Sequence, residues 1–162
     1  MTAQRRELIG RCRGFALIVL LAVAPAAGHA GTTERVVTDR FTGLAISGFD
    51  PVAYFTDARP LPGDPAYELS EEGVVWRFHN EGNRASFAAN PEIYGPQFGG
   101  YDPVDVARGV AYPGNPQLWL VVNQRLYLFG REESRDAFAA APAGVLAEAR
   151  KRWTVLRSEL SR

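Results

Sequence analysis

Two pairs of short segments recur along the chain at almost the same spacing. The heptapeptide GFDPVAY, which begins at Gly48, is echoed by GYDPVDV from Gly100, an offset of 52 residues. The longer stretch FHNEGNRASFAANP, which begins at Phe78, is echoed by FGREESRDAFAAAP from Phe129, an offset of 51 residues. Such self-similarity indicates a supersecondary unit that is used more than once. We interpret the chain as one domain of two related units; the alternative is that two strand-to-helix turns share similar capping residues.

The first unit, about residues 46–97, is predicted to contain a strand and then a helix. In VVWRF, residues 74–78, alternating side chains indicate a half-buried strand. Asn80 then suits the N-cap position, and Glu81 places an acid at the positive end of the following helix. Pro91 prevents the helix from continuing.

The second unit, about residues 98–160, is predicted to repeat this arrangement. The segments LWLVV and RLYLF flank Asn123 and Gln124, which predicts a hairpin, and residues 131–140 repeat the helix. A closing helix is predicted after Pro142, with an apolar face formed by Val145, Leu146, Ala149, Trp153, Leu156 and Leu160. Together these elements predict an α+β fold, a small antiparallel sheet covered by helices.

The segment YGPQFGGYDPVDVARG, residues 94–109, connects the two units. Gly99 and Gly100 allow a close approach of a neighbouring chain or ligand, and Asp102 suits an N-cap ahead of a proline. The aromatic residues of this segment suit a binding cleft, and they suit a buried crossover between the two units equally well. The candidate ligand-binding residues are His79, Tyr94, Tyr101, Asp102 and Arg108.

The first thirty residues have the order of a signal peptide. Four arginines precede the apolar run FALIVLLAVAPAA, which small residues follow up to Ala30. The run is shorter than the roughly 20 residues that span a bilayer. We predict cleavage after Ala30, an N-terminal extension at 31–45, and a periplasmic or secreted protein without a membrane span. The pair Arg5 and Arg6 faintly resembles a twin-arginine signal, and the export route is left open.

Removal of this leader limits the available chemistry. The rest of the chain has no cysteine, and His79 is its one histidine. It keeps 14 basic and 17 acidic residues, a mild negative charge that does not suggest nucleic-acid binding. About 130 residues are enough for one domain with a core of its own.

Three segments carry a resemblance to a known family. FDPVAYF, WRFHNEGNRASFAANPEIYGPQFGGY and LWLVVNQRLYLF resemble the YHS domain family, and more closely its exported branch, the YHS domain-containing (seleno)proteins. The resemblance runs from about Ile46 to Trp153. Phe78, His79 and Asn80 fall where the Tyr-His-Ser that names the family lies.

The cysteine positions that this resemblance implies are occupied by other residues. The exported branch has a cysteine or selenocysteine directly after its Gly-Gly-Tyr, where this chain has Asp102. Short metal-linked members of the wider family have cysteines at three positions that Ala53, His79 and Asn83 match best. The resemblance therefore implies a fold more firmly than an activity.

A soft-metal site usually needs three or four thiolate, thioether or imidazole ligands, and the processed chain offers one imidazole. We therefore predict no cofactor; the alternative is a hard metal ion held by His79 with Asp50 and Asp102. For the two aspartates, a turn or cap role ahead of proline is favoured.

The sequence contains no motif for catalysis. We predict a non-enzymatic binding module for an unknown small ligand or protein partner. The alternative is a metal-binding or redox-derived periplasmic protein that uses His79.

Overall fold

The computed structural model describes residues 34–160. The predicted signal peptide and its cleavage site lie outside these residues. In chain order the described elements are α1 (Ala53–Thr56), β1 (Asp64–Glu71), β2 (Val74–Phe78), α2 (Glu81–Ala89), α3 (Pro91–Tyr94), α4 (Pro103–Ala107), β3 (Asn115–Val122), β4 (Arg125–Phe129), α5 (Glu132–Ala140) and α6 (Pro142–Glu159). Short 3-10 turns lie at Ile46–Gly48 and Gln97–Gly100.

The four strands form two separate antiparallel pairs, β1 with β2 and β3 with β4. Both hairpins have the same irregularity: Asp64 opposes Phe78 and Asn115 opposes Phe129, and the register then shifts before regular pairing resumes. The α+β fold class is confirmed, and its sheet is divided into two hairpins.

Local sequence signals place the hairpin turns. Asn123 and Gln124 have φ angles of 50° and 56°, and Glu72 and Gly73 have φ angles of 53° and 83°. Two successive positive φ angles give the turn twist that matches paired strands. The hairpin predicted at Asn123 and Gln124 is confirmed.

The predicted helix caps are also present. The side chain of Asn80 accepts a hydrogen bond of 2.8 Å from the backbone N–H of Asn83 at the start of α2. The side chain of Asp102 accepts one of 2.9 Å from the N–H of Val104 at the start of α4. These bonds satisfy N–H groups that have no partner inside the helix.

The core consists of two clusters that meet across β4. Leu126 and Leu128 are fully buried in the first cluster, whereas Tyr127 and Phe129 are buried in the second. A strand that is buried on both faces carries a continuous apolar run. The predicted apolar face of α6 packs on the second cluster, as its pattern indicates.

The described part of the predicted extension belongs to this core. Val36 is buried in the first cluster and Val37 in the second. The backbone N–H of Val37 donates to the carbonyl of Gly99 at 2.8 Å, and the N–H of Ile46 donates to the carbonyl of Val37 at 2.9 Å. Residues 34–45 therefore pack within the domain that was predicted to begin at residue 46.

Candidate functional site

A cleft of about 470 Å³ opens between the N-terminal segment (residues 34–45), the β1–β2 turn, α3, the crossover (residues 94–109) and α6. Charged side chains of both signs line it: Arg35, Arg125, Arg157, Glu71, Glu72 and Glu92. Its apolar surface includes the rings of Trp76, Phe87 and Trp153. The volume lies in the range of small-molecule sites, which combine apolar walls with a few polar groups.

A close backbone approach holds Arg35 at this cleft. Gly99 has a φ angle of +62°, and a Cβ atom built on it would lie 1.9 Å from the carbonyl oxygen of Arg35. Only glycine leaves room for the N-terminal segment to hydrogen-bond along the crossover at this point. The segment thereby places the Arg35 side chain among the residues that line the cleft.

The three arginines differ in their partners. Arg125 donates through Nη1 to the backbone carbonyl of Glu92 at 3.1 Å, and Arg157 lies 3.7 Å from the carboxylate of Glu72. The Nε of Arg35 is buried and has no hydrogen-bond partner within residues 34–160. A buried donor without an acceptor is destabilising. Of the three arginines, Arg35 is the one that carries such a donor.

The aromatic side chains form an ordered wall. Trp76 is 4% exposed, packs on Phe87 at a centroid distance of 4.9 Å, and donates from Nε1 to the carbonyl of Glu71 at 3.3 Å. Trp153 is half-buried and meets Phe98 edge to face at 5.9 Å. Held in this way, the half-buried indole of Trp153 presents fixed apolar surface to the cleft, and the buried Trp76 supports the wall behind it.

None of the five residues that the sequence singled out for ligand binding lines this cleft. Tyr101 and Asp102 are fully buried, so their predicted contact with a ligand is replaced by roles inside the fold. The Tyr101 hydroxyl donates to the carbonyl of Glu34, which ties the N-terminal segment to the crossover.

The other three lie outside the cleft as well. Tyr94 is half-buried and packs edge to face on Phe55 at 5.3 Å. Arg108 is exposed at the end of α4, 3.5 Å from the Asp105 carboxylate. The imidazole of His79 is exposed, and within residues 34–160 it makes no hydrogen bond or ion pair.

The aspartates proposed as alternative metal ligands are buried acceptors for N–H groups. Asp50 accepts from the backbone N–H of His79 at 2.7 Å and from Nδ2 of Asn83 at 2.6 Å. Asp102 accepts from the N–H of Gly130 at 2.9 Å, the position that matches His79 in the echoed segment. Each carboxylate thus ties a strand end to a helix start in its own half of the chain.

Among residues 34–160, no three His, Cys, Asp or Glu side chains gather into a group that could hold a metal ion. The structure therefore does not join His79, Asp50 and Asp102 into the proposed hard-ion site. The physical reason is that the aspartate oxygens are turned inward, toward the backbone N–H groups that they satisfy.

Sequence reasoning missed the charged residues of the cleft. Arg35 was assigned to an extension outside the domain, and Trp153 was assigned only to the core face of α6. Arg125 carried one weak signal, because its counterpart at an offset of 51 residues is the apolar Val74. Under the predicted repeat, a charge at only one of two matched positions is such a signal.

No family model, curated protein or solved structure matches this chain. Within residues 34–160, no helix combines the length and the apolar character that crossing a membrane requires.

Burial raises the pKa of the Tyr54 hydroxyl well above its ordinary value, and the negative charge of Asp50 adds to the effect. The hydroxyl donates to the carbonyl of Pro116 at 2.9 Å, which joins α1 to β3. Ionisation of this phenol would remove the donated proton and place a charge in the core.

We expect the protein to lose stability as the pH rises above about 10. Above that pH the phenol ionises in the unfolded chain but stays protonated in the fold, so deprotonation favours unfolding. Urea unfolding from about pH 8 to pH 11 should show this decline, and Tyr54→Phe should flatten it. The exposed Tyr112→Phe is the control, and equal slopes for Tyr54→Phe and the unchanged protein would contradict the assignment.

Proposed function

We propose that this chain is an exported, non-enzymatic binding module that holds a small ligand or a segment of a partner in the cleft beside Arg35, Trp76 and Trp153. One observation carries the proposal: a cleft with fixed indole surface also contains a buried guanidinium donor without an acceptor. The Nε itself is closed to a ligand, so a ligand oxygen would bind at the accessible Nη groups of the same half-buried guanidinium, and the half-buried indole of Trp153 would supply apolar contact.

Two further observations support the proposal. The described lining offers guanidinium, carboxylate and aromatic groups, which are the groups that recognise ligands. The sequence supports export through its signal-like leader, and it resembles the exported YHS domain proteins over residues 46–153.

Ligand screening by thermal unfolding tests the proposal. A ligand that binds the native protein raises the free energy of unfolding by about 2.7 kcal/mol at a hundred times its dissociation constant. We expect at least one small-molecule class to raise the melting temperature, and Trp153→Phe to reduce the shift.

Trp119 provides the matched control for this test. It packs against Tyr54 at 5.2 Å and lies outside the described lining of the cleft. Indole N–H signals in an NMR titration should move for Trp76 and Trp153 and stay in place for Trp119. A shift confined to Trp119, or no stabilisation by any compound, would rule out the cleft as the binding site.

The same assay addresses metal binding. Copper, zinc and iron are added to the unchanged protein and to His79→Ala. A rise in melting temperature that depends on His79 would favour the alternative function over the cleft.

A further inference from the structure

We propose that the ligand of this cleft carries a carboxylate, bound by Arg35, on an aromatic or apolar body that lies against Trp153, beside the edge of the cleft that Trp76 lines. The inference rests on the proposed function and adds the chemical class of the ligand.

The first step is the sign of the charge. The unpaired charged groups of the cleft differ in their access to water. Glu71 and Glu92 are exposed, so water solvates their carboxylates fully, whereas Arg35 is half-buried and water reaches only part of its guanidinium, because the Nε is closed off. A group that water fully solvates gains little from a ligand, whereas a partly desolvated guanidinium gains more from a negatively charged acceptor at its accessible N–H groups. The geometry therefore favours an anionic group over a cationic one.

The second step is the shape of the anion. Guanidinium is a planar fork whose N–H groups match the two oxygens of a carboxylate. Arg125 supports the same site, because its hydrogen-bond partner is the neutral carbonyl of Glu92 and, within residues 34–160, its guanidinium forms no ion pair. Arg157 is half-exposed and shares its charge with Glu72 at 3.7 Å, so it contributes less.

The third step is the body of the ligand. Of the three rings that line the cleft, Trp153 is half-buried and offers most of the accessible surface, whereas Trp76 and Phe87 pack on one another and are 4% and 1% exposed. Flat aromatic surface beside a cationic fork suits a molecule with an apolar body and one charged end. A fully polar anion would leave this surface without a contact.

Three compounds that share one body separate the charge from the ring. The probes are 3-phenylpropionate, its neutral amide and 3-phenylpropylamine, each titrated into the purified full chain by calorimetry and followed by the indole N–H signals. We expect the carboxylate to bind at least about tenfold more tightly than the amide, because its hydrogen bonds to Arg35 are charge-assisted. The amine should bind most weakly. Added salt should weaken the binding of the carboxylate and of neither other probe.

Arg35→Gln should reduce the affinity for the carboxylate at least about tenfold and leave that for the amide within about twofold. Arg35→Lys keeps the charge without the planar fork, so its affinity for the carboxylate should lie between those of the unchanged protein and Arg35→Gln. The matched control is Arg108→Gln, which removes an exposed arginine outside the cleft. If Arg35→Gln fails to fold, the relative affinities of the unchanged protein for the three probes still test whether the cleft prefers a carboxylate.

The outcomes separate this inference from the function on which it rests. Equal binding of the three probes, tighter binding of the amine, or unchanged carboxylate affinity in Arg35→Gln would overturn the carboxylate assignment. If neutral or cationic compounds move the Trp76 and Trp153 signals while carboxylates do not, the cleft binds ligands and the inference is wrong. If no compound of any charge moves them, the proposed function fails.

Discussion

Replacing Asp50 with alanine is expected to lower the free energy of unfolding by about 3 to 5 kcal/mol. The carboxylate is fully buried and accepts four hydrogen bonds: Val52 N–H at 2.8 Å, Ala53 N–H at 3.3 Å, His79 N–H at 2.7 Å and Asn83 Nδ2 at 2.6 Å. Alanine leaves these donors without their acceptor, and each net bond contributes about 1 kcal/mol.

Urea unfolding followed by circular dichroism measures the loss of stability in Asp50→Ala. Two further variants show which contacts cause it. Asp50→Asn keeps one acceptor oxygen but turns an NH₂ group toward one pair of donors, so an intermediate loss is expected. His79→Ala should change stability by less than about 0.5 kcal/mol, because Asp50 binds the backbone of His79 and the imidazole is exposed. A large loss in His79→Ala together with a small loss in Asp50→Ala would contradict this account.

The features that sequence predicted well depend on neighbouring residues. The cap at Asn80 and the turn at Asn123 follow from one side chain and from the backbone a few residues away, so short motifs specify them. The apolar face of α6 follows from helical periodicity alone. The α+β class is the sum of such local elements.

The candidate cleft depends on contacts that no local pattern contains. Arg35 and Arg157 are 122 residues apart in the chain and line one cleft because the N-terminal segment packs between the two core clusters. Tyr101 looked like a cleft residue because an aromatic side chain beside glycines suits either a ligand site or a buried crossover. The hydrogen bond of its hydroxyl to Glu34, 67 residues away, is what gives it a structural role.

The same long-range packing explains why buried aspartates resembled functional ones. Asp50 and Asp102 each satisfy the backbone at the end of a strand 28 or 29 residues later. A buried carboxylate that accepts several N–H groups needs no ligand to account for its position. Charged residues that lack such partners, as Arg35 does, are the stronger indication of a site.

Replacing Gly99 with alanine is the second change from which we expect a large effect, about 3 to 5 kcal/mol of lost stability. The added Cβ would lie 1.9 Å from the carbonyl oxygen of Arg35 and 3.3 Å from Cα of Val36, and both are backbone atoms. A side chain can rotate away from such a clash, but backbone that is hydrogen-bonded to Gly99 cannot. The N-terminal segment would therefore separate from the crossover and carry Arg35 away from the cleft.

Gly109→Ala isolates the backbone strain in this prediction. Gly109 has a φ angle of +83° and no atom within 4 Å of an added Cβ, so alanine there should cost only about 1 to 2 kcal/mol. Thermal unfolding should place Gly99→Ala well below Gly109→Ala, and only Gly99→Ala should also lose the response of the Trp76 and Trp153 indole signals to ligand. Equal destabilisation by the two variants would show that the left-handed backbone, and not the approach of the N-terminal segment, sets the need for glycine. Loss of stability with the ligand response intact would show instead that Arg35 reaches the cleft without the crossover contact.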